Sequence, residues 1–186
     1  TGATSKNNDF AENVFVASTH DYVVFFTSSG KCFWRKVHEL PESSLTARGR
    51  ALTNILDLPE DEKIRAFVSL RDFEQDAYLI MTTRSGIIKK TKLEEYSRPR
   101  ANGIIAINLK GNDELIAVRT SSGSDEILIS TKQGQAIRFN EDKVRSVGRN
   151  SMGVKGISLK GDDFVVSSEV IKDSKTQILT ITENGF

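Results

Sequence analysis

The sequence predicts an all-β fold of propeller-like repeat units, and three observations predict it. A strand-like run, a polar turn ending in glycine and a second run recur as VVFFTSSGKCFWRK (23–36), LIMTTRSGIIKKTK (79–92), ILISTKQGQAIRFN (127–140) and ILTITENGF (178–186). The turn glycines Gly30, Gly86, Gly134 and Gly185 are 56, 48 and 51 residues apart, a spacing typical of blade arrays. A second glycine, Gly49, Gly103 or Gly153, follows each complete hairpin with nearly the same period.

The runs are short, rich in Ile, Val, Phe and Thr, and bounded by Gly, Ser, Asn and Asp, so they read as strands. In the first unit S-S-G supplies the positive φ of a tight antiparallel hairpin, and ARGRALTNILDLPEDEKIRAFVSL follows from Ala47. The second unit repeats the plan with R-S-G and then ANGIIAINLKGNDELIAVR from Ala101. The third does so with Q-G and SMGVKGISLKGDDFVVSSEV from Ser151, and the triplet Leu109-Lys110-Gly111 returns as Leu159-Lys160-Gly161. A fourth unit opens with N-G. Only 92–96 and 141–147 have the composition of short helical turns. About four strands per unit gives blades at approximately 15–70, 78–122 and 126–171, with part of another at 176–186. Three full units and part of a fourth make an incomplete ring, so the chain is expected to be a piece of a larger array with strand edges that invite association.

Composition excludes several function classes. Hydrophobic residues make up 38% of the chain, and no run approaches the roughly 20 apolar residues of a membrane span. The opening TGATSKNNDF lacks the apolar core of a signal peptide, which makes the cytoplasm the default. Cys32 is the only cysteine, and His20 and His38 the only histidines, so neither an internal disulfide nor a structural zinc site can be assembled. Cys32 lies in the apolar run KCFWR and reads as a packed, inert thiol.

Net charge is only +1, yet the charge is distributed in blocks. Take the intervals 31–50, 87–103 and 135–156, each running from just after a hairpin glycine to the next marker. The first holds Arg35, Lys36, Arg48 and Arg50 besides Lys31; the second Lys89, Lys90, Lys92, Arg98 and Arg100; the third Arg138, Lys143, Arg145, Arg149 and Lys155. Together they carry 15 basic and 6 acidic residues, leaving 11 basic and 19 acidic elsewhere. If the units are related by rotation about one axis, the three clusters join into a positive stripe along the perimeter. Such a stripe suits duplex DNA, whose phosphates give salt-sensitive and largely sequence-independent affinity. Phe33 and Trp34, inside the first cluster, read as core with one of the two turned toward the next blade, not as a base-stacking platform.

No catalytic constellation emerges. His20 reads as a turn residue, and a nucleophilic triad lacks material. GRNSMGVKG lacks the Gly-Lys-Ser/Thr ending of a phosphate loop. The acidic pairs Asp61-Glu62, Asp113-Glu114 and Asp162-Asp163 recur before strands and read as turn chemistry, not as a cation site.

These motifs carry a family resemblance. The run from VFVASTHDYVVFFTSSGKCFWRK through LPEDEKIRAF closely resembles a blade of the C-terminal domain of the DNA gyrase A protein. The run KGNDELIAVRTSSGSDEILISTKQGQAIRFNEDKVRSVGRNSMGVKGISLKGDD resembles later blades, with V-R-x-x-G-R-N-x-x-G-V-x-G the most specific element. The resemblance covers the chain from about Asp9 onward. It implies a β-pinwheel, a propeller variant whose blades exchange strands, acting as a non-catalytic module that binds and wraps double-stranded DNA. It further implies a parent type II topoisomerase, a heterotetramer of two gyrase A and two gyrase B chains that uses ATP and Mg to supercoil DNA in the nucleoid. This chain itself would hold no cofactor. The basic positions named above, Arg35 to Lys155, are the DNA contacts implied. The family's basic, glycine-rich box is expected just upstream of Thr1. The corresponding C-terminal domain of topoisomerase IV is the near alternative, and a propeller-type protein-interaction scaffold the alternative from another class.

Overall fold

The computed structural model describes residues 14–44, 50–56, 58–59, 62–98, 100, 102–173, 175–182 and 184–185. The strands in chain order are β1 (Tyr22–Thr27), β2 (Lys31–Lys36), β3 (Ile64–Leu70), β4 (Tyr78–Thr83), β5 (Ile87–Lys92), β6 (Ile104–Ile105), β7 (Leu115–Ser121), β8 (Glu126–Thr131), β9 (Ala136–Asn140), β10 (Val154–Lys155) and β11 (Val165–Ile171). They form three antiparallel sheets, ordered β3-β1-β2-β6, β10-β5-β4-β7 and β11-β8-β9.

Each unit begins as a hairpin because the turn is Thr-x-x-Gly. Gly30, Gly86 and Gly134 take φ of 81°, 84° and 81°, and each donates its N–H to the carbonyl of the threonine three residues earlier at 3.0–3.1 Å. That left-handed position is one glycine occupies without steric cost. The same threonine side chain accepts the N–H of the residue after the glycine: Lys31 to Thr27 at 3.2 Å, Ile87 to Thr83 at 3.2 Å and Gln135 to Thr131 at 3.1 Å. The recurrent acids brace the same turns. Glu62 accepts from the Ser29 hydroxyl, Asp113 from the Ser85 N–H and hydroxyl, and Asp163 from the Gln133 N–H. The third strand of each unit therefore starts docked on its own hairpin.

The fourth strand of a sheet comes from the next unit. β6, after the second hairpin, pairs with β2 through Lys31↔Ile105 and Cys32↔Ile104, and β10 pairs with β5 through Val154↔Ile88 and Lys155↔Ile87. Just beyond each donated strand, two consecutive N–H groups converge on one turn glycine. Ala106 and Ile107 donate to the Gly30 carbonyl at 2.8 and 3.1 Å, and Gly156 and Ile157 to that of Gly86 at 2.8 and 3.3 Å. Gly153 is required here: a Cβ on it would stand 2.4 Å from the Ile88 carbonyl oxygen.

Strand alternation makes the core. Val24 and Phe26 of β1 meet Leu79 and Met81 of β4 and Leu115 and Val118 of β7, while Ile80 of β4 points the other way onto Ile127 and Ile129 of β8. Ion pairs cross the same seams, Arg65 to Glu114 and Arg119 to Glu169, each at 2.7 Å. The outer face of β1, Val23 and Phe25, is closed by Leu56 and Leu58.

That closure differs from expectation. The two expected helical turns form as 3-10 turns over Leu93–Tyr96 and Glu141–Lys143, and two more elements appear: a 3-10 turn at Val37–Glu39 and a short α1 (Leu52–Leu56). Glu39 explains the first, because its carboxylate accepts the Lys36 N–H at 3.1 Å. Residues 52–53 of α1 align with the Ala106-Ile107 staple of the second unit, and this segment coils over its own sheet. Phe33 and Trp34 are both core residues, at 5% and 7% exposure, one on each face of the sheet. Both faces of the first sheet are covered, so alternation leaves neither side chain in water.

Candidate nucleic-acid interface

The basic residues ride mainly on the arms that carry each chain segment from one hairpin to the preceding sheet. The second unit's arm holds Arg98 and Arg100 after the Leu93–Tyr96 turn, and the third's holds Lys143, Arg145 and Arg149 between β9 and β10. Lys92, Arg98, Arg100, Lys143, Arg145 and Lys155 are exposed, as is Arg50 in the first unit. Arg35, Lys36 and Arg149 are half-buried. Arg35 donates to the Trp34 carbonyl at 3.2 Å, and the Lys36 ammonium stands 5.2 Å from the centre of the Tyr22 ring. Arg138 is exposed and forms an ion pair across the strands with Glu126. Arg48 lies outside the described residues.

Two expected contacts are not at the surface. Lys89 and Lys90 are 0% and 6% exposed, so neither reaches a duplex laid against this fold. Both lie mid-strand in β5, a strand flanked by β4 and the donated β10 and covered on both faces. Lys90 is neutralised by Glu141 at 2.8 Å and rests 4.5 Å from the centre of the Tyr78 ring. Glu141, itself 0% exposed, also accepts from the Ser121 hydroxyl and the Gly123 and Asp125 N–H groups at 2.8–3.0 Å. Among the described residues no carboxylate forms an ion pair with Lys89. Its ammonium donates to the Ala106 carbonyl at 2.6 Å and to the Arg149 carbonyl, so it ties the arms of two units together. Burial, and then the neighbouring Arg149 charge, push its pKa down to about 8.

The structure does unite parts of two clusters. Arg98 and Arg100 from the second arm and Arg149 from the third line one cavity of about 530 Å³ at the seam. Arg149 is oriented by a 2.8 Å bond from its Nη1 to the Ile105 carbonyl, and the Asn108 side chain holds the neighbouring Asn150 carbonyl. The basic surface therefore lies at a junction between blades. Cys32 is buried, and burial pushes its thiol up to about 12, which keeps it protonated at neutral pH. Among the described residues no group of three or more His, Cys, Asp or Glu side chains is placed to hold a metal ion, and no helix is long and apolar enough to cross a membrane.

Sequence reasoning missed the Thr27, Thr83 and Thr131 turn locks and the carboxylate that neutralises Lys90. The locks were visible as T-x-x-G in all four hairpins, Thr182 included. The Lys90–Glu141 pairing, 51 residues apart in sequence, carried no comparable signal.

Comparison with known proteins shows the family and the fold. The family described as DNA gyrase C-terminal domain, beta-propeller, matches residues 21–71, 77–122 and 125–172. The chain is 47% identical over 184 residues to the DNA gyrase A protein of Salmonella typhimurium, covering 99% of this chain and 21% of that protein. It is 47% identical over 153 residues to the DNA gyrase A protein of Clostridium acetobutylicum, covering 82% of this chain and 18% of that protein. Among solved structures it superposes on the C-terminal domain of DNA topoisomerase IV with a TM-score of 0.77 at 35% identity, covering 83% of this chain and 48% of that one. On a DNA gyrase A C-terminal domain the TM-score is 0.70 at 26% identity, covering 84% and 50%. The chain spans about one fifth of the length of the curated relatives it matches.

Proposed function

This chain belongs to the DNA gyrase C-terminal domain family, and from that premise we propose that it is a non-catalytic module that binds and wraps double-stranded DNA. The observation that carries the proposal is the placement of cations on the arms that cross the seams, where two units' clusters meet in one cavity. Phosphates on a duplex following the perimeter then meet Lys92, Arg98, Arg100, Lys143, Arg145, Arg149 and Lys155 in succession, with Arg35, Lys36, Arg50 and Arg138 as further contacts. Contacts to phosphate fix position without reading sequence, which suits a surface built from repeats. In the whole protein the module would present a wrapped segment to a type II topoisomerase made of gyrase A and gyrase B chains. ATP and Mg chemistry would belong to that enzyme's other parts, with no cofactor in this chain, and the working location would be the nucleoid in the cytoplasm.

Titrating a duplex of about 40 base pairs at several salt concentrations tests this. Affinity is expected to fall steeply and linearly on a log–log plot, with little dependence on sequence. The double substitution K143Q/R145Q should flatten that slope by roughly 1 to 2 without changing the melting temperature. A folded protein that ignores duplex DNA at low salt would end the proposal and favour a protein-interaction scaffold.

A further inference from the structure

At the seams Lys90 meets Glu141, Arg65 meets Glu114 and Arg119 meets Glu169. The seam cavity behaves otherwise. Of its basic residues Arg98, Arg100 and Arg149, none has a carboxylate within 4 Å among the described residues. Arg149 uses one Nη1 bond on the Ile105 carbonyl, and Arg98 and Arg100 are exposed. Glu94 and Glu95 share the cavity wall, but Glu94 is engaged by Lys92 at 3.6 Å. Lys89 lies next to Arg149, fully buried, with the Ala106 and Arg149 carbonyl oxygens as its hydrogen-bond partners among the described residues. Positive charge thus exceeds negative charge in a partly enclosed site, which is the setting that draws an anion.

We propose that this cavity seats one tetrahedral oxyanion, a phosphate or sulfate group, held by the Arg98, Arg100 and Arg149 guanidinium groups; Lys89 does not line the cavity but is bonded to the Arg149 carbonyl beside it. At about 530 Å³ the cavity exceeds many times over the ~30 Å³ share of a water molecule, so a partly hydrated anion fits. Three forked donors match the oxygens of such a group.

Lys89 gives the seat a pH dependence. The charged and titratable groups facing it are Arg149, Cys32 and Glu95. Burial and Arg149 hold its pKa near 8, with Cys32 and Glu95 acting weakly in the other direction. A seated anion favours the charged form, so binding draws a proton onto Lys89 near and above that pH. Affinity therefore weakens as pH rises through 8.

The anion comes either from a DNA backbone, in which case the inference rests on the wrapping reading, or from a free phosphate compound. Sulfate, whose charge is constant between pH 6.5 and 9.5, is the first probe. It is titrated into the 186-residue protein at constant ionic strength while side-chain resonances of Arg149 and Lys89 are followed by NMR. Saturable shifts are expected, with affinity falling about three- to tenfold from pH 7 to pH 9.5. R98Q/R100Q, altered only at exposed residues, should lose the response with its melting temperature unchanged. K89M should keep the arginine shifts and lose their pH dependence. Absence of a saturable shift at Arg149, or pH-independent binding by the unsubstituted protein, overturns the seat. A 20-base-pair duplex that displaces sulfate identifies the DNA backbone as the source. Sulfate that binds and is not displaced leaves the seat standing as a site for a free phosphate compound and removes it from the DNA path.

Discussion

Lys89 and Lys90 are adjacent, both buried and satisfied in opposite ways, and each arrangement has its own energetic consequence. Lys90 belongs to a network in which Glu141 accepts from one ammonium, one hydroxyl and two backbone N–H groups. Removing one partner of such a pair leaves a buried charge unpaired, which typically costs about 3–5 kcal/mol. E141Q is therefore expected to lower unfolding free energy in urea by about that amount, and a loss under 1 kcal/mol would show that water or another group already neutralises Lys90. Lys89 makes a different prediction. Its folded pKa of about 8 lies below the ordinary 10.5, so between those values the unfolded chain binds more protons than the folded one. Stability contributed through Lys89 must then increase as pH rises through that window and stay at its low plateau below about 8. Relative to K89M, the unsubstituted protein should gain roughly 1–2 kcal/mol between pH 7.5 and 9.5, read from paired urea melts. A difference independent of pH would mean the ammonium is no more costly inside than in water.

The donated strands are only two residues long, and glycine decides whether they can form. Gly153 combines a φ of 94° with a backbone oxygen 2.4 Å from where a Cβ would stand, whereas Gly161, at φ 55°, faces open space. Left-handed backbone alone costs an alanine about 1–2 kcal/mol. G161A should lose about that much, while G153A should lose more and release β10 from β5. Hydrogen exchange at Gly156 and Ile157, whose N–H groups donate to the Gly86 carbonyl just beyond β10, reads the release directly, and equal losses for the two variants would exclude a steric role for the close approach. These devices also mark what the sequence made legible. Repeat spacing, strands and hairpins followed from period and turn chemistry, because each is local. The exchange of β6 and β10 came from the family resemblance and not from the residues themselves, since a two-residue strand has no periodicity of its own. α1 escaped notice because LTNIL departs from the pattern of the other units only through its surroundings. For the interface, residue type along the arms was informative, while Lys89 and Lys90 were misplaced because a basic residue mid-strand is exposed only if its sheet has an open face.

Across the whole molecule, the equivalent strands β2, β5 and β9 show what a donated strand does. Counting from the turn glycine, the second to fourth residues are Cys32, Phe33 and Trp34 in the first unit and Ile88, Lys89 and Lys90 in the second, and all six are buried. In the third unit Ala136, Ile137 and Arg138 hold these places and all three are exposed, with Ile137 at 37%. The turns agree: a Cβ on Gly30 or Gly86 would meet the next unit at 2.6 or 2.9 Å, while one on Gly134 would meet nothing within 4 Å. Among the described residues β9 thus presents an unpaired edge with an apolar residue on it, the arrangement that promotes edge-to-edge association. The protein on its own is therefore expected to self-associate with rising concentration, and a lysine on the edge should oppose this by placing a charge where a partner strand must dock. I137K should shift sedimentation-velocity profiles toward monomer while changing stability by no more than about 1 kcal/mol, since Ile137 lies outside the hydrophobic clusters of the core. If the unsubstituted protein stays monomeric at millimolar concentration, or if I137K associates as readily, β9 is not the contact and the exposed segment around Ile178, Leu179 and Ile181 becomes the surface to alter next.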